Sequence, residues 1–163
     1  MNSSSASSPT RHPSHSESCG VCLENSGEKT MAHGIIWQNE IWILRHCPPP
    51  TGTIGWLTLQ AKRHVAGPGY FNDLEAASLG PTMRHITKIQ QSLLPKCLRI
   101  YIAAMGESHP HFHCHLVPRY DGGLAGWAVF GQSADAAAGR ITVDEAAVPP
   151  FVAALKEALA GCT

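Results

Sequence analysis

Residues 111 to 117, His-Phe-His-Cys-His-Leu-Val, alternate histidine with apolar side chains and constrain the fold more than any other part of the chain. Such alternation predicts a β-strand, because successive side chains of a strand point to opposite faces. His111, His113 and His115 then share one face, with about 6.6 Å between neighbours. The intervening apolar residues face the other way. We therefore expect a sheet with its core on one side and a cleft lined by imidazoles on the other.

Three explanations of this histidine face are open: a tolerated polar surface, a metal site, or catalysis. A flat strand does not wrap three rings around one tetrahedral ion, and Glu107 is the one carboxylate close by in sequence. A neutral imidazole is a good nucleophile near pH 7, and neighbouring rings can hold phosphate oxygens. The cluster therefore favours nucleophilic catalysis at a phosphoryl group.

The surrounding pattern indicates the elements on either side of this strand. Apolar and β-branched runs predict a hairpin over residues 34–44, a strand over 53–60 and a strand over 98–105. Asn72 and Glu75 form a capping box that opens a helix of about five or six turns, kinked or restarted at Gly80-Pro81. A second helix begins near Pro149. Antiparallel strands with two helices packed on them predict an α+β fold.

Cys19 and Cys22 form the one cysteine pair with a chemically meaningful spacing. A redox pair needs a strand directly before it, and the Ser-rich residues 1–18 do not supply one. Half of a zinc site needs only two further ligands, and the chain holds 10 histidines. We therefore favour zinc, with a pair of ordinary thiols and a redox pair as the alternatives.

Composition excludes several classes of partner. Lys+Arg and Asp+Glu number 12 each, so there is no basic field to gather nucleic acid or a membrane surface. No apolar run approaches the ~18 residues of a spanning helix. The length of 163 residues predicts one compact domain after a disordered leader at residues 1–16. We expect a cytoplasmic protein with reduced thiols.

The motifs resemble those of the histidine-triad superfamily. Residues 111–117 fit its His-φ-His-φ-His-φ-φ signature, where φ is apolar, and Pro118-Arg119 matches the continuation seen in many members. Residues 55–64 are similar to its Gly-His-x-Leu-Val-x-Pro-x-Arg-His block, with Trp56 in place of His. The Cys-x2-Cys pair is similar to the zinc-bearing type, and the whole to dinucleoside polyphosphate hydrolases. The resemblance implies a five-stranded antiparallel sheet in a domain spanning 17–120, with 121–163 as an extension whose helix packs on it.

The resemblance also implies a reaction at the α-phosphate of dinucleoside polyphosphates or nucleoside phosphoramidates, as a hydrolase or nucleotidyl transferase. His113 would attack phosphorus to form a covalent nucleotidyl-histidine, with His115 assisting the leaving group and His111 completing the triad. The residues expected to contact substrate are Ser108, Glu107 and Arg45. Glu107 departs from the family's usual Gln. The alternative is a catalytically weak nucleotide-binding or interaction module with the same fold.

For the metal, the resemblance implies a structural zinc site. Its four ligands would be Cys19, Cys22, His64 and His111. His109 is the alternative to His111 as the fourth ligand. No organic cofactor is expected. The family is usually dimeric, so the resemblance also implies a homodimer.

Overall fold

A computed structural model describes residues 11–161, in which an open five-stranded sheet has the strand order β1-β2-β3-β5-β4. The strands are β1 (Trp37–Gln38), β2 (Trp42–His46), β3 (Leu57–Ala61), β4 (Cys97–Ala103) and β5 (His113–Tyr120). All neighbouring strands are antiparallel. The helices are α1 (Gly20–Ser26), α2 (Asp73–Ser92), α3 (Gln132–Ala137) and α4 (Val148–Ala160). The predicted α+β class is confirmed, with α1 and α3 as additional short helices.

Local chemistry explains where the strands begin and end. The β1–β2 hairpin turns at Asn39, whose Oδ1 accepts hydrogen bonds from the backbone N–H groups of Ile41 and Trp42 at 2.9 and 2.7 Å. The strand predicted over 53–60 begins only at Leu57, because Gly55 takes a φ of +82°. The histidine strand begins at His113 rather than at residue 111, since residue 111 donates its N–H within a turn.

The long helix α2 starts at the predicted capping box. Asn72 Oδ1 accepts from the N–H of Glu75, and Glu75 Oε2 accepts from the N–H of Asn72, both at 2.9 Å. The helix then continues through Pro81 as one element of 20 residues. It ends at Ser92, ahead of the expected stop at Pro95. Helix α4 begins at Val148, as the paired prolines predict.

The core lies on one face of the sheet, beneath α2 and α4. Ile86 of α2 and Leu155 of α4 are fully buried and belong to the same apolar cluster as the inward side chains of the strands. Those strand residues include Leu44, Leu57, Leu59, Cys114 and Leu116. Helix α4, within the predicted extension 121–163, therefore packs on the same core as the strands.

The segment between Tyr120 and α4 crosses to the histidine face of the sheet. A 3-10 turn at Gly126–Gly131 buries Val129 against Trp56 and Val117. A second 3-10 turn, Glu145–Ala147, leads into α4. Glu145 Oε1 accepts a hydrogen bond from the N–H of Thr51 at 3.0 Å, which fastens this segment to the proline-rich loop.

The described part of the predicted leader contacts the domain. Arg11 Nη2 lies 2.6 Å from Glu28 Oε2, and Ser14 Oγ accepts a 2.8 Å hydrogen bond from the N–H of His64. The first ten residues of that leader, and residues 162–163, lie outside the described residues. Within residues 11–161 no helix combines the length and apolar character needed to cross a bilayer.

Candidate active site and metal centre

Strand β5 presents His113 and His115 on the face of the sheet opposite the core. The two ring centroids lie 5.4 Å apart and the rings are nearly perpendicular, at 81°. On the neighbouring strand β3, Gln60 pairs with His113 and Thr58 pairs with His115. Directly paired residues share a face, so these two buried polar side chains lie on the same face of the sheet as the rings.

His113 is oriented by the backbone. Its Nδ1 lies 2.8 Å from the carbonyl oxygen of His111. Because a carbonyl only accepts hydrogen bonds, Nδ1 carries a proton, and in the neutral ring the lone pair is on Nε2. In its neutral form the half-buried ring therefore has an unprotonated Nε2, which is the atom that can act as a nucleophile.

His115 lies deeper, beside an indole. Trp56 Nε1 is 3.0 Å from His115 Nδ1, and the two rings meet edge-on at 80°. Burial, with a smaller effect from His113, lowers the pKa of His115 to about 4. Its imidazole is therefore neutral at pH 7.

The predicted metal ligands converge next to this pair. Their ligand atoms all lie within 4.8 Å of one another, and the residues are Cys19, Cys22, His64 and His111. Cys19 precedes α1 and Cys22 lies in its first turn, so their spacing of three residues places both sulfurs on one side of the helix. Cys22 Sγ lies 3.3 Å from His64 Nδ1 and 3.4 Å from His111 Nδ1.

These distances fit a tetrahedral zinc site. Zn–S and Zn–N bonds of about 2.3 and 2.05 Å at tetrahedral angles place S and N about 3.6 Å apart. The ring of His111 is fully buried, and its Nε2 donates a 2.7 Å hydrogen bond to the carbonyl of Ala61, which leaves Nδ1 unprotonated and facing the sulfurs. Burial lowers the pKa of His111 to about 4 and raises that of Cys22. Ion binding would therefore displace the thiol proton of Cys22.

The structure places His111, and not His109, in this cluster. The ring of His109 instead covers Gly20, where an added Cβ would lie 2.7 Å from His109 Nε2. His111 therefore contacts both parts of the site. Its ring faces the cysteine sulfurs, and its carbonyl orients His113.

The three residues expected to contact substrate lie in different surroundings. Glu107 and Ser108 are exposed on the loop between β4 and β5. Arg45 is only 3% exposed; its Nε lies 3.3 Å from Gln60 Oε1 and its Nη2 donates to the carbonyl of Glu24 at 2.8 Å. Burial lowers the pKa of Arg45. Arg45 and Glu24 both line a cavity of about 740 Å³ on this side of the sheet.

Glu24 and Gln60 are polar residues on the histidine side of the sheet that were not predicted from the sequence. Gln60 Nε2 donates to Glu24 Oε2 at 3.1 Å, which ties α1 to β3 beside His113. A signal for Gln60 exists, because Thr58 and Gln60 alternate with apolar residues over 57–61 as the histidines do on β5. Glu24 has no such signal, since its position depends on where α1 packs.

No protein-family model and no curated protein matches this sequence. Solved structures do. A Zn-bound histidine triad family protein from Mycobacterium smegmatis is 18% identical, with 88% of this chain and 94% of that chain aligned at a TM-score of 0.64. A hypothetical histidine triad nucleotide-binding protein from Sulfolobus tokodaii is 13% identical, with coverage of 88% and 93% and the same TM-score of 0.64. A histidine triad protein from Bradyrhizobium japonicum is 21% identical, covering 76% and 87% at a TM-score of 0.58. These likenesses establish the fold.

Proposed function

We propose that this histidine-triad fold acts as a nucleotide hydrolase or nucleotidyl transferase, cleaving a phosphoanhydride or phosphoramidate bond at the α-phosphate. The observation that carries the proposal is the oriented pair of rings on β5, with the proton of His113 on Nδ1 and its lone pair on Nε2. The nucleotide-binding protein from Sulfolobus tokodaii and the other histidine-triad structures support it by their shared fold.

The proposed reaction proceeds in two displacements. His113 Nε2 attacks the α-phosphorus and forms a P–N bond, while the bond to the leaving group breaks and its electron pair departs with that group. Water or another acceptor then attacks phosphorus, the P–N bond breaks, and its electron pair returns to Nε2. The proton lost by the attacking water passes to bulk solvent. His115 donates a hydrogen bond toward a departing phosphate oxygen, whereas a departing amine must also take up a proton, which solvent would supply.

Local groups would hold the phosphates, because the chain has no net charge to attract them. Ser108 is proposed to donate its hydroxyl from the loop before β5. Arg45 would stabilise anionic substrate from the wall of the cavity, and Glu107 would lie at the rim, turned away from the phosphates. Arg45→Gln is expected to raise KM more than it lowers kcat, whereas Glu107→Gln is expected to lower KM.

The test of the reaction is release of nucleoside monophosphate from diadenosine polyphosphates, adenosine phosphoramidates and nucleotide sugars. His113→Ala is expected to lower kcat by at least about 1,000-fold, since removing a nucleophile removes the covalent step. His85→Ala, which removes a half-buried histidine from α2, is the matched control and should retain activity. A trapped nucleotidyl adduct on His113 would support the proposal directly.

Two outcomes would contradict this proposal. Equal turnover by the His113→Ala variant would remove His113 as the nucleophile. Tight binding of nucleoside monophosphate without turnover of any substrate would favour the catalytically weak binding module instead.

We propose that zinc occupies the Cys2His2 cluster as a structural ion. When bound, it would neutralise the charge of the two thiolates and link α1, through His64 and His111, to the segments after β3 and before β5. One zinc per chain is expected by elemental analysis, falling to below a tenth in Cys22→Ser and unchanged in His113→Ala. Chelation should lower the melting temperature together with activity. Loss of activity without any loss of stability would indicate a catalytic metal instead.

A homodimer is proposed to form along β4, the edge strand next to β5. Exposed edge strands offer unpaired backbone groups, and Leu98 and Ile102 on β4 are 47% and 48% exposed. Ile102→Lys should convert the dimer to a monomer in sedimentation experiments. A wild-type chain that sediments as a monomer would contradict this assembly.

A further inference from the structure

Trp56 occupies a position that the proposed mechanism does not yet use. Its indole is 4% exposed and packs with Val117 and Val129, which hold it against the side of His115. The backbone around it is also fixed, because the carbonyl of Trp56 accepts from the N–H of Cys47 at 2.8 Å and the carbonyl of Gly55 accepts from Gln90 Nε2 at 2.8 Å. The indole N–H therefore has little freedom to leave His115.

The hydrogen bond between these rings has a defined direction. An indole nitrogen only donates, so His115 Nδ1 must accept from Trp56 Nε1 across the 3.0 Å contact. A proton on His115 Nδ1 would face the N–H of Trp56 and break this bond. His115 therefore carries its single proton on Nε2, and its tautomer is opposite to that of His113.

A neutral imidazole with its proton on Nε2 donates a hydrogen bond but does not give the proton away, because an imidazolate anion would result. A phosphate leaving group departs as a stable anion and needs only hydrogen bonds. An amine leaving group must gain a proton as the P–N bond breaks. The two classes of substrate therefore make different demands on His115.

We propose that Trp56 is a positioning residue that holds His115 as a hydrogen-bond donor, and that this selects substrates with a phosphate leaving group, such as dinucleoside polyphosphates, over nucleoside phosphoramidates. This inference rests on the proposed reaction at the α-phosphate. It narrows that reaction from two substrate classes to one.

The first test is spectroscopic and does not require turnover. In ¹⁵N-labelled wild-type protein, His115 is expected to show a protonated Nε2, an unprotonated Nδ1, and a scalar coupling between Nδ1 and Trp56 Nε1. A proton on His115 Nδ1 would overturn the inference. This measurement stands even if the protein turns over no nucleotide, so failure of the proposed function and failure of this inference are distinguishable.

The second test compares kcat/KM for diadenosine tetraphosphate and adenosine 5′-phosphoramidate. Wild type is expected to favour the polyphosphate by about 100-fold or more. Trp56→Phe removes the N–H, frees His115 Nδ1 for protonation, and should narrow this preference by about 10-fold while lowering kcat for the polyphosphate. Trp56→His restores a donor and should recover much of the preference.

The matched control is Trp42→Phe. Trp42 is a fully buried tryptophan whose Nε1 donates to Ser78 Oγ at 2.9 Å, away from the histidines. This variant should lower stability and leave the substrate preference unchanged. Equal turnover of the two substrates by wild type, or an unchanged preference in Trp56→Phe, would overturn the inference.

Discussion

His111 and His113 each direct one ring nitrogen at a backbone carbonyl, His111 at that of Ala61 and His113 at that of His111. Each carbonyl decides which nitrogen of its ring holds the proton. The triad motif therefore predicts which side chains meet, but the position of the ring protons depends on backbone carbonyls in β3 and in the turn before β5. His115 differs, because its partner is the side chain of Trp56.

The surroundings of the Arg45 side chain could not be predicted from the sequence. In the sequence, Arg45 comes directly before a proline-rich loop. This position favours either a solvated side chain or one that binds an additional phosphate of the substrate. The solvated form is wrong, because the side chain is buried against Gln60 and the carbonyl of Glu24 on the wall of the cavity. Both partners come from other elements, so no local pattern could have revealed them.

The ion pair between Arg63 and Glu75 yields a prediction about pH. Arg63 donates to Glu75 through Nε at 2.8 Å and Nη2 at 2.6 Å, and the Glu75 side chain is only 4% exposed. Arg63 holds the pKa of Glu75 below its usual range, so this contribution to stability is present at neutral pH. It should be lost as the pH falls from about 4.3, the ordinary glutamate value, through the lower folded pKa.

Glu75→Gln keeps the capping box but removes the charge. We expect it to lower the free energy of unfolding by about 1.5 kcal/mol at pH 7, measured by urea denaturation. The difference from wild type should shrink below about pH 4. Glu157→Gln, an exposed residue on α4, is the control; a deficit for Glu75→Gln that stays constant with pH would contradict the assignment.

At the scale of elements, β5 runs past the predicted end of the histidine strand and includes Pro118. The N–H of Ala61 donates to the carbonyl of Phe112, so the even-numbered residues of β5 turn their backbone groups toward β3. Strand β3 begins opposite Leu116, and the position of Pro118 therefore needs no N–H. The sequence of β5 does not predict that the strand continues through Pro118, because this depends on where the neighbouring strand β3 begins.

Helix α2 also contains a proline, and this gives a prediction about the helix itself. Pro81 lacks the N–H that would bond to the carbonyl of Ala77, and Gly80 before it has no Cβ to clash with the proline ring. Pro81→Ala should raise the free energy of unfolding by about 2 kcal/mol. Gly80→Ala should add about 1 kcal/mol in that background and destabilise when Pro81 is present.

A double-mutant cycle in urea denaturation checks whether the effect of Gly80→Ala on the free energy of unfolding changes sign when Pro81 is replaced. The Cβ at position 80 meets open space beyond its chain neighbours, so contacts elsewhere in the protein do not complicate the comparison. Gly80→Ala with the same effect in both backgrounds would show that the proline ring is not the cause.

At the scale of the whole molecule, two segments cover the two ends of the histidine face of the sheet. The cysteine cluster fastens α1 to the histidine end of β5, and the 3-10 turn at Gly126–Gly131 covers the opposite end of the same face. The Cys-x2-Cys pair, together with the resemblance to zinc-bearing histidine-triad proteins, predicts the first of these contacts. They do not predict the second, because residues 121–137 carry no periodic pattern and acquire their position by packing against Trp56.

Helix α4 tests whether the C-terminal segment and the sheet unfold together. Leu155 is fully buried in the cluster that also contains the apolar residues of β2, β3 and β5. Leu155→Ala should therefore lower the free energy of unfolding of the entire chain by about 3 kcal/mol. We expect circular dichroism and the histidine NMR signals to report one shared transition at the lowered midpoint, with Lys156→Ala, an exposed neighbour, as the control. If α4 were a separate unit, the helical signal would fall first and the histidine signals would keep their wild-type midpoint, because the rings of β5 lie on the opposite face of the sheet.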